Sequence, residues 1–357
     1  MFYSLYQGNN TARATAWIIG MLGLIGNGCI IIYSRKKNLL KVSNKGLSTR
    51  SRQATRKSSV ICNYLIFNLA IADLLGDLYL TIIVSADTYY GINYPVIYQT
   101  INPVNETNIW IFHPFCHIGR FFYFTSTILS ILITLVIAVD RFVSVIFPIS
   151  KLKLNLQRCR IIMLICWILA SSFGLYPTIR GFINVNLFTK MFWFPINACL
   201  YEDTDEQLVT DYINAKYAIF YTCSCLVCLC YIFILIHVKT KSKSSSATQS
   251  EAIQRHILLI MIAVTISNIG SLLPSTVMFE LYRLNTPFTL YDYMLTVGTI
   301  ITFVNTAVNP IIYMVMSPSL TRKLFKCCKV RFYIRNRVND ASHCIDEDKP
   351  VHNPQQS

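Results

Sequence analysis

Charge is what this sequence has least of. Only 14% of its 357 residues are Asp, Glu, Lys or Arg, where a soluble domain carries about 25%. Together with 54% hydrophobic residues and a mean hydropathy of +0.46, this excludes an ordinary soluble domain and reads as a polytopic membrane protein. Acidic residues are scarcer still, 17 against 32 basic ones, for a formal net charge of +15. Placement excludes a nucleic-acid partner, because the bases fall in short polar segments between apolar runs, which is how membrane topology is written. Histidine is sparse: His113, His117, His237, His256, His343 and His352 are scattered along the chain. No metal site and no convergent catalytic set is expected, so the chain is not read as an enzyme. No repeat relates the two halves and no repeated pore element occurs, which argues against a transporter or a channel. No cleavable signal peptide is evident, so the first apolar run is read as a true span.

Seven apolar runs are present. They cover about 16–34, 60–86, 113–147, 161–176 (stopped near Pro177), 212–238, 253–282 and 290–316, and all but the short fourth approach or exceed the roughly 20 residues that cross a hydrocarbon core about 30 Å thick. An all-α seven-helix membrane bundle follows. The segments after spans one, three, five and seven hold nine, four, four and eight bases, and with Arg141 that is 26 of the 32. The excess of positive charge places those segments in the cytosol and the N-terminus outside. Two N-glycosylation patterns, at Asn9 and Asn105, then fall outside, where they are usable. The expected organisation is an extracellular 1–15, a seven-span domain 16–316 with a long basic first intracellular loop at 35–59, a juxtamembrane 317–328 and a cytosolic tail 329–357.

Thirteen cysteines are present, most of them in spans or in the tail. Only Cys116 and Cys199 fall at the extracellular, oxidising face. A bridge between them would staple the loop between spans four and five over span three; the alternative is two free thiols. The Cys223, Cys225, Cys228, Cys230 cluster reads as small packing residues rather than a metal site.

Polar groups inside spans are functional hypotheses by default. They are Asn27, Asp73 and Asp77, Trp167, Asn305 and Asn309, with Asp140 and Arg141 closing the long uncharged run 121–139. An ionised Asp73 at mid-membrane needs donors, a cation or a proton. Asn27, Asn305 and Asn309 are the natural neighbours, so a buried network holding a sodium ion or a proton is expected there. The bland alternative is that each Asn merely links helices, at about 0.6 kcal/mol per bond. Pro310 frees a backbone carbonyl and kinks span seven.

Asn27 after Gly26, Asn68-Leu-Ala-Ile-Ala-Asp73, Asp140-Arg141-Phe142, Trp167 with Pro177, and Asn309-Pro310-Ile-Ile-Tyr313 together resemble the class A, rhodopsin-like G-protein-coupled receptors, over Asn27 to about Cys328. The resemblance implies a plasma-membrane receptor that binds an extracellular ligand and catalyses nucleotide exchange on a heterotrimeric G protein, with arrestin as a further partner. It implies that Arg141 is a switch, paired with Asp140 when inactive and joined by Tyr231 and Tyr313 when active. It also implies an allosteric sodium ion near Asp73, and a short amphipathic helix at 317–328 on the inner leaflet, with Cys327 and Cys328 as palmitoylation candidates. The reading kept against it is a transporter or channel without G-protein coupling.

The sequence departs from the family pattern in spans three, five and six; span three ends its motif with Phe142 rather than Tyr. Span six reads Ser271-Leu272-Leu273-Pro274, where the family carries a Cys-Trp-x-Pro toggle. Asn268 stands where Phe is frequent, and Cys223 where span five has a proline. Tyr123 replaces the aspartate of amine receptors and Phe303 the retinal lysine of opsins. The remaining outer-half candidates are Arg120, Tyr123, Thr127, Arg180, Lys216, Leu272, Glu280 and Tyr291. The bases among them suit a lipid or small organic acid, whereas the acidic loop ending at Asp211 suits a basic peptide, the ligand class preferred here.

Overall fold

The computed structural model describes residues 6, 9–43, 50–90, 113–147, 153–183, 198–200, 207–241, 249–283 and 291–316. They form α1 (Asn10–Ser43), α2 (Arg50–Tyr90), α3 (Pro114–Ile146), α4 (Leu156–Ile183), α5 (Gln207–Lys241), α6 (Gln249–Arg283), α7 (Tyr291–Thr302) and α8 (Val304–Met316). Seven stretches are long and apolar enough to cross a membrane, the last running from Thr296 to Val315 across α7 and α8. No strand occurs among the described residues, as expected where no water can satisfy an open sheet edge. Asn105, Cys327, Cys328, the segments 317–328 and 329–357, and the side chains of Glu280 and Tyr291 lie outside the described residues. The chain divides into two compact units, 1–312 and 313–357; of the second, only the last turn of α8 is described.

Helix starts follow from caps. Asn9 Oδ1 accepts from the amides of Thr11 (3.0 Å) and Ala12 (3.1 Å), so α1 begins at Asn10, six residues before the expected Ala16. At α3, His113 Nδ1 accepts from the Phe115 amide and Pro114 takes the first helical position. Asn155 Oδ1 caps α4 through the Arg158 amide at 2.7 Å.

Two further boundaries differ from the sequence reading. The first loop, expected at 35–59, is largely helix: α1 continues to Ser43 and α2 starts at Arg50. Lys and Arg are good helix formers, so nothing in that composition stops a helix leaving the membrane. Pro177 lies inside α4 rather than ending it. Its missing N–H leaves the Phe173 carbonyl without a helical donor, and the Tyr212 hydroxyl of α5 donates to that oxygen at 2.8 Å. The loose end is claimed by a neighbouring helix, so α4 runs on.

Helix α3 is the hub, packing against α2, α4, α5 and α6, while α1 lies along α2 and α6 along α7. The outward faces of α4 and α5 carry exposed Leu, Ile and Phe, as lipid-facing surfaces should.

Candidate functional site

Three polar layers are threaded through the bundle, and the middle one is the densest. Asp73 of α2 is buried. Its Oδ1 accepts from Ser130 Oγ of α3 at 3.0 Å and its Oδ2 from Asn309 Nδ2 of α8 at 2.8 Å. Asn309 Nδ2 also reaches Asn268 Oδ1 of α6 at 3.0 Å, and Asn305 Nδ2 reaches the same oxygen at 2.9 Å. Asn268 in turn donates to Thr134 Oγ1 at 2.8 Å. This one residue therefore ties α3, α6 and α8 together, at the position where the sequence departs from the family pattern.

Pro310 shapes the other half of the layer. It has no N–H to give the Thr306 carbonyl one turn earlier, and Asn27 Nδ2 of α1 donates to that carbonyl at 3.0 Å. The same amide nitrogen lies 3.0 Å from Asp77 Oδ2. Close approach of α1 to α8 depends on Gly26, because a Cβ there would sit 2.6 Å from the Pro310 Cβ.

The oxygens of this layer outnumber its donors. Asn27 Oδ1, Asp77 Oδ1, Asn305 Oδ1 and Asn309 Oδ1 are buried and receive no hydrogen bond from the described residues. A surplus of buried acceptors around a carboxylate has the donor set that a hard cation needs. Asn27, Asp73, Asn305 and Asn309, singled out in the sequence, thus fall in one layer. Asp77, Ser130 and Thr134 join the layer without a role assigned from the sequence. Each is a polar residue on an apolar helix, the same signal that exposed Asp73.

The cytosolic layer holds Asp140 and Arg141, both buried. Arg141 Nε donates to Asp140 Oδ2 at 3.0 Å, and Arg141 also reaches that oxygen through its terminal nitrogen. Nearby, Tyr231 of α5 and Thr265 of α6 share a 3.1 Å hydrogen bond. Phe142 packs against a cluster of Ala138, Val227, Tyr231, Ile234 and Leu258 that joins α3, α5 and α6. Tyr313 is in the last turn of α8.

The outer layer is closed by the chain itself. Cys116 and Cys199 form a disulfide. The Tyr79 hydroxyl donates to the Ala198 carbonyl at 2.8 Å and Arg120 Nε to the Cys199 carbonyl at 2.8 Å. Cys199 adopts φ 59°, an unusual conformation for a residue with a side chain, held by the bridge on one side and Arg120 on the other. Residues Ala198–Leu200 thereby sit in one apolar cluster with Tyr79, Tyr123, Phe124 and Phe303. Tyr6 joins the same cluster; outside the spans, its burial pushes the phenol well above its ordinary range, with the Asp87 charge adding to the shift. Arg13 clamps Asp87 at 2.7 Å.

Beneath this cap a small cavity of about 30 Å³ is lined by Tyr123, Thr127, Lys216, Leu272, Ser275 and Thr302, among others. That holds one or two waters. Four of the eight residues expected to line a ligand pocket therefore do converge. Arg120 does not line the cavity, being fully buried on the cap. Arg180, in the last turn of α4, is not among the lining residues either. Lys216 lies over the rings of Phe124 (5.5 Å) and Tyr217 (4.8 Å).

The model of the seven-transmembrane receptor (rhodopsin family) matches residues 47–313. The G-protein coupled receptor GRL101 of Lymnaea stagnalis is 27% identical over 169 residues, covering 47% of this chain and 13% of that protein. The thyrotropin receptor of Ovis aries is 25% identical over 227 residues (62% and 25%). The follicle-stimulating hormone receptor of Notamacropus eugenii is 24% identical over 223 residues (62% and 27%). The matched region thus spans between about an eighth and about a quarter of the length of these relatives.

Proposed function

The chain belongs to the rhodopsin family of seven-transmembrane receptors, and from that premise we propose that it is a plasma-membrane receptor catalysing nucleotide exchange on a heterotrimeric G protein. The observation that carries the proposal is Arg141, held by Asp140 at the cytosolic end of α3 beside the Tyr231–Thr265 link between α5 and α6. A buried guanidinium with one carboxylate partner is a two-state element: if α6 moves, the Tyr231 hydroxyl is released and Arg141 gains a new acceptor. The partner then binds the open state and shifts the population toward it. Arrestin is the second cytosolic partner of this reading.

Asp73, Asn27, Asn305 and Asn309 would hold a sodium ion in the closed state, where it would supply the positive charge that Asp73 lacks. The ligand is proposed to be a peptide acting from outside. The cavity beneath the cap admits one or two waters, so a larger ligand must engage the outer rim or displace Ala198–Leu200. Two of the relatives are named for thyrotropin and follicle-stimulating hormone. A lipid or small organic acid is the outcome that would replace the peptide. Asn9 and Asn105 are the proposed glycosylation sites and Cys327 and Cys328 the palmitoylation sites.

The test is guanine-nucleotide exchange on the main Gα classes in cells expressing the chain, with peptide and lipid-acid libraries added. Exchange above background that Arg141→Ala abolishes at equal surface expression is expected. Exchange that persists in Arg141→Ala would refute the assigned switch.

A further inference from the structure

Tyr6 lies ahead of the first helix, yet it is fully buried. Its ring shares the apolar cluster of Tyr79, Ile83 and Cys199 at the outer end of the bundle. Its hydroxyl is buried too, and finds no hydrogen-bond partner among the described residues. A turn holds the backbone behind it: the Asn9 amide donates to the Tyr6 carbonyl at 2.6 Å, and Asn9 then caps α1. One helical turn on, Arg13 Nε donates to Asp87 Oδ2 at 2.7 Å. A ring and a guanidinium from one short stretch thus both meet the outer end of α2.

Both contacts have the character of an exchangeable ligand. Apolar area holds the ring in place, but a hydroxyl buried without an acceptor is penalised, and phenylalanine would serve better as a fixed plug. The Arg13 side chain is 21% exposed and that of Asp87 1%, so solvent reaches the base but not the acid. A carboxylate so deeply buried is costly without a cation. Whatever takes the place of Arg13 must therefore return its charge.

We propose that the outer end of α2 and the cap form a seat for a peptide bearing an aromatic ring and a base, occupied at rest by the chain's own Tyr6 and Arg13. The proposal rests on the peptide-receptor reading and specifies the chemistry of the peptide and where it docks. The seat is distinct from the cavity beneath the cap, whose lining comes from α3, α5, α6 and α7 alone. It shares its cluster with Ala198 and Cys199, so exchange of the occupant acts directly on the cap. A tethered occupant competes at an effective concentration of the order of millimolar for a short link. An outside peptide reaches the seat only by outcompeting it.

Fluorescence anisotropy on the purified full chain in nanodiscs tests this without any G protein. The probe is a labelled peptide with the sequence of residues 6–13, blocked at both ends, and wild type is compared with the double variant Tyr6→Ala, Arg13→Ala. With its seat vacated, the variant should bind the probe at least about tenfold more tightly than wild type. Citrulline in place of the probe's arginine, or alanine in place of its tyrosine, should each weaken binding to that variant by about tenfold or more. The citrulline loss should vanish once Asp87→Asn is added. Equal affinity of wild type and variant, or no binding to either, would overturn the seat. A citrulline loss that survives Asp87→Asn would overturn it too, placing the probe elsewhere. Should the double variant fail to express, Tyr6→Ala alone, which alters no residue of the helices, takes its place under the same criteria. Failure here leaves the Arg141 test of the receptor reading untouched, whereas a bound probe without nucleotide exchange would keep the seat and count against that reading.

Discussion

Prolines 177 and 310 each strip a donor from a carbonyl one turn earlier, and in both cases a side chain from another helix supplies one. The Tyr212 hydroxyl serves Phe173, and the Asn27 amide serves Thr306. The two contacts differ in what else they hold. Tyr212→Phe removes one neutral hydrogen bond and keeps the ring stacked on Tyr176, 4.9 Å between centroids. About 0.6 kcal/mol is the average worth of such a bond between membrane helices. Asn27→Ala strips the Thr306 carbonyl and the buried Asp77 carboxylate together, at about 1–3 kcal/mol for each group left unsatisfied. In a thermal unfolding series the Asn27 variant should lose several times the midpoint shift of the Tyr212 variant; equal losses would sink this ranking.

The same contacts explain what could be read beforehand. Asp73, Asn309 and Arg141 stood out because a polar side chain is conspicuous on an apolar helix. Tyr79, Arg120 and Tyr212 find backbone carbonyls, which carry no label in a sequence. Arg120 accordingly read as a ligand-binding base when it is a clasp on Cys199. Asn268 was visible only as a departure from a motif, and nothing local foretold that it would join Thr134, Asn305 and Asn309.

At the scale of elements, spans were legible and their ends were not. Apolar length alone sets a span, but where a helix stops depends on caps and on what claims the freed carbonyls, as at Asn9 and Pro177. Packing between helices was equally hidden, because it turns on where single glycines face. Gly26 meets the Pro310 ring, and Gly28, two residues on, meets nothing within 4 Å. Gly26→Ala should push α1 away from α8, break the Asn27–Thr306 hydrogen bond and cost roughly 1–3 kcal/mol as an overpacking substitution. Gly28→Ala should be neutral or slightly stabilising, since alanine is the better helix former by up to about 1 kcal/mol. Unfolding midpoints and surface expression of the pair decide it: a Gly26→Ala protein as stable as Gly28→Ala would mean that α1 does not rely on that approach.

For the whole molecule, the middle layer is held by hydrogen bonds and the cytosolic layer by the Asp140–Arg141 pair and the Tyr231–Thr265 hydrogen bond, all able to exchange partners, whereas the outer layer adds a covalent bridge to its polar contacts. The Cys116–Cys199 bridge closes a loop of sequence separation 83. By loop entropy alone, such a bridge is worth about 4–5 kcal/mol against an unconstrained chain. The unfolded reference in a membrane keeps its helices, so the measured value should fall below that. Reductant should therefore lower the unfolding midpoint of the wild-type protein, and the Cys116→Ala, Cys199→Ala double variant should start from the lowered midpoint and ignore reductant. Among the described residues this is the one disulfide. Because Tyr79 and Arg120 also hold Ala198 and Cys199, the cap should loosen further in the double variant on Arg120→Ala, and by more than the same substitution costs with the bridge intact. Strictly additive losses would show that bridge and clasp act on separate parts of the cap, and that the outer layer does not close as one unit.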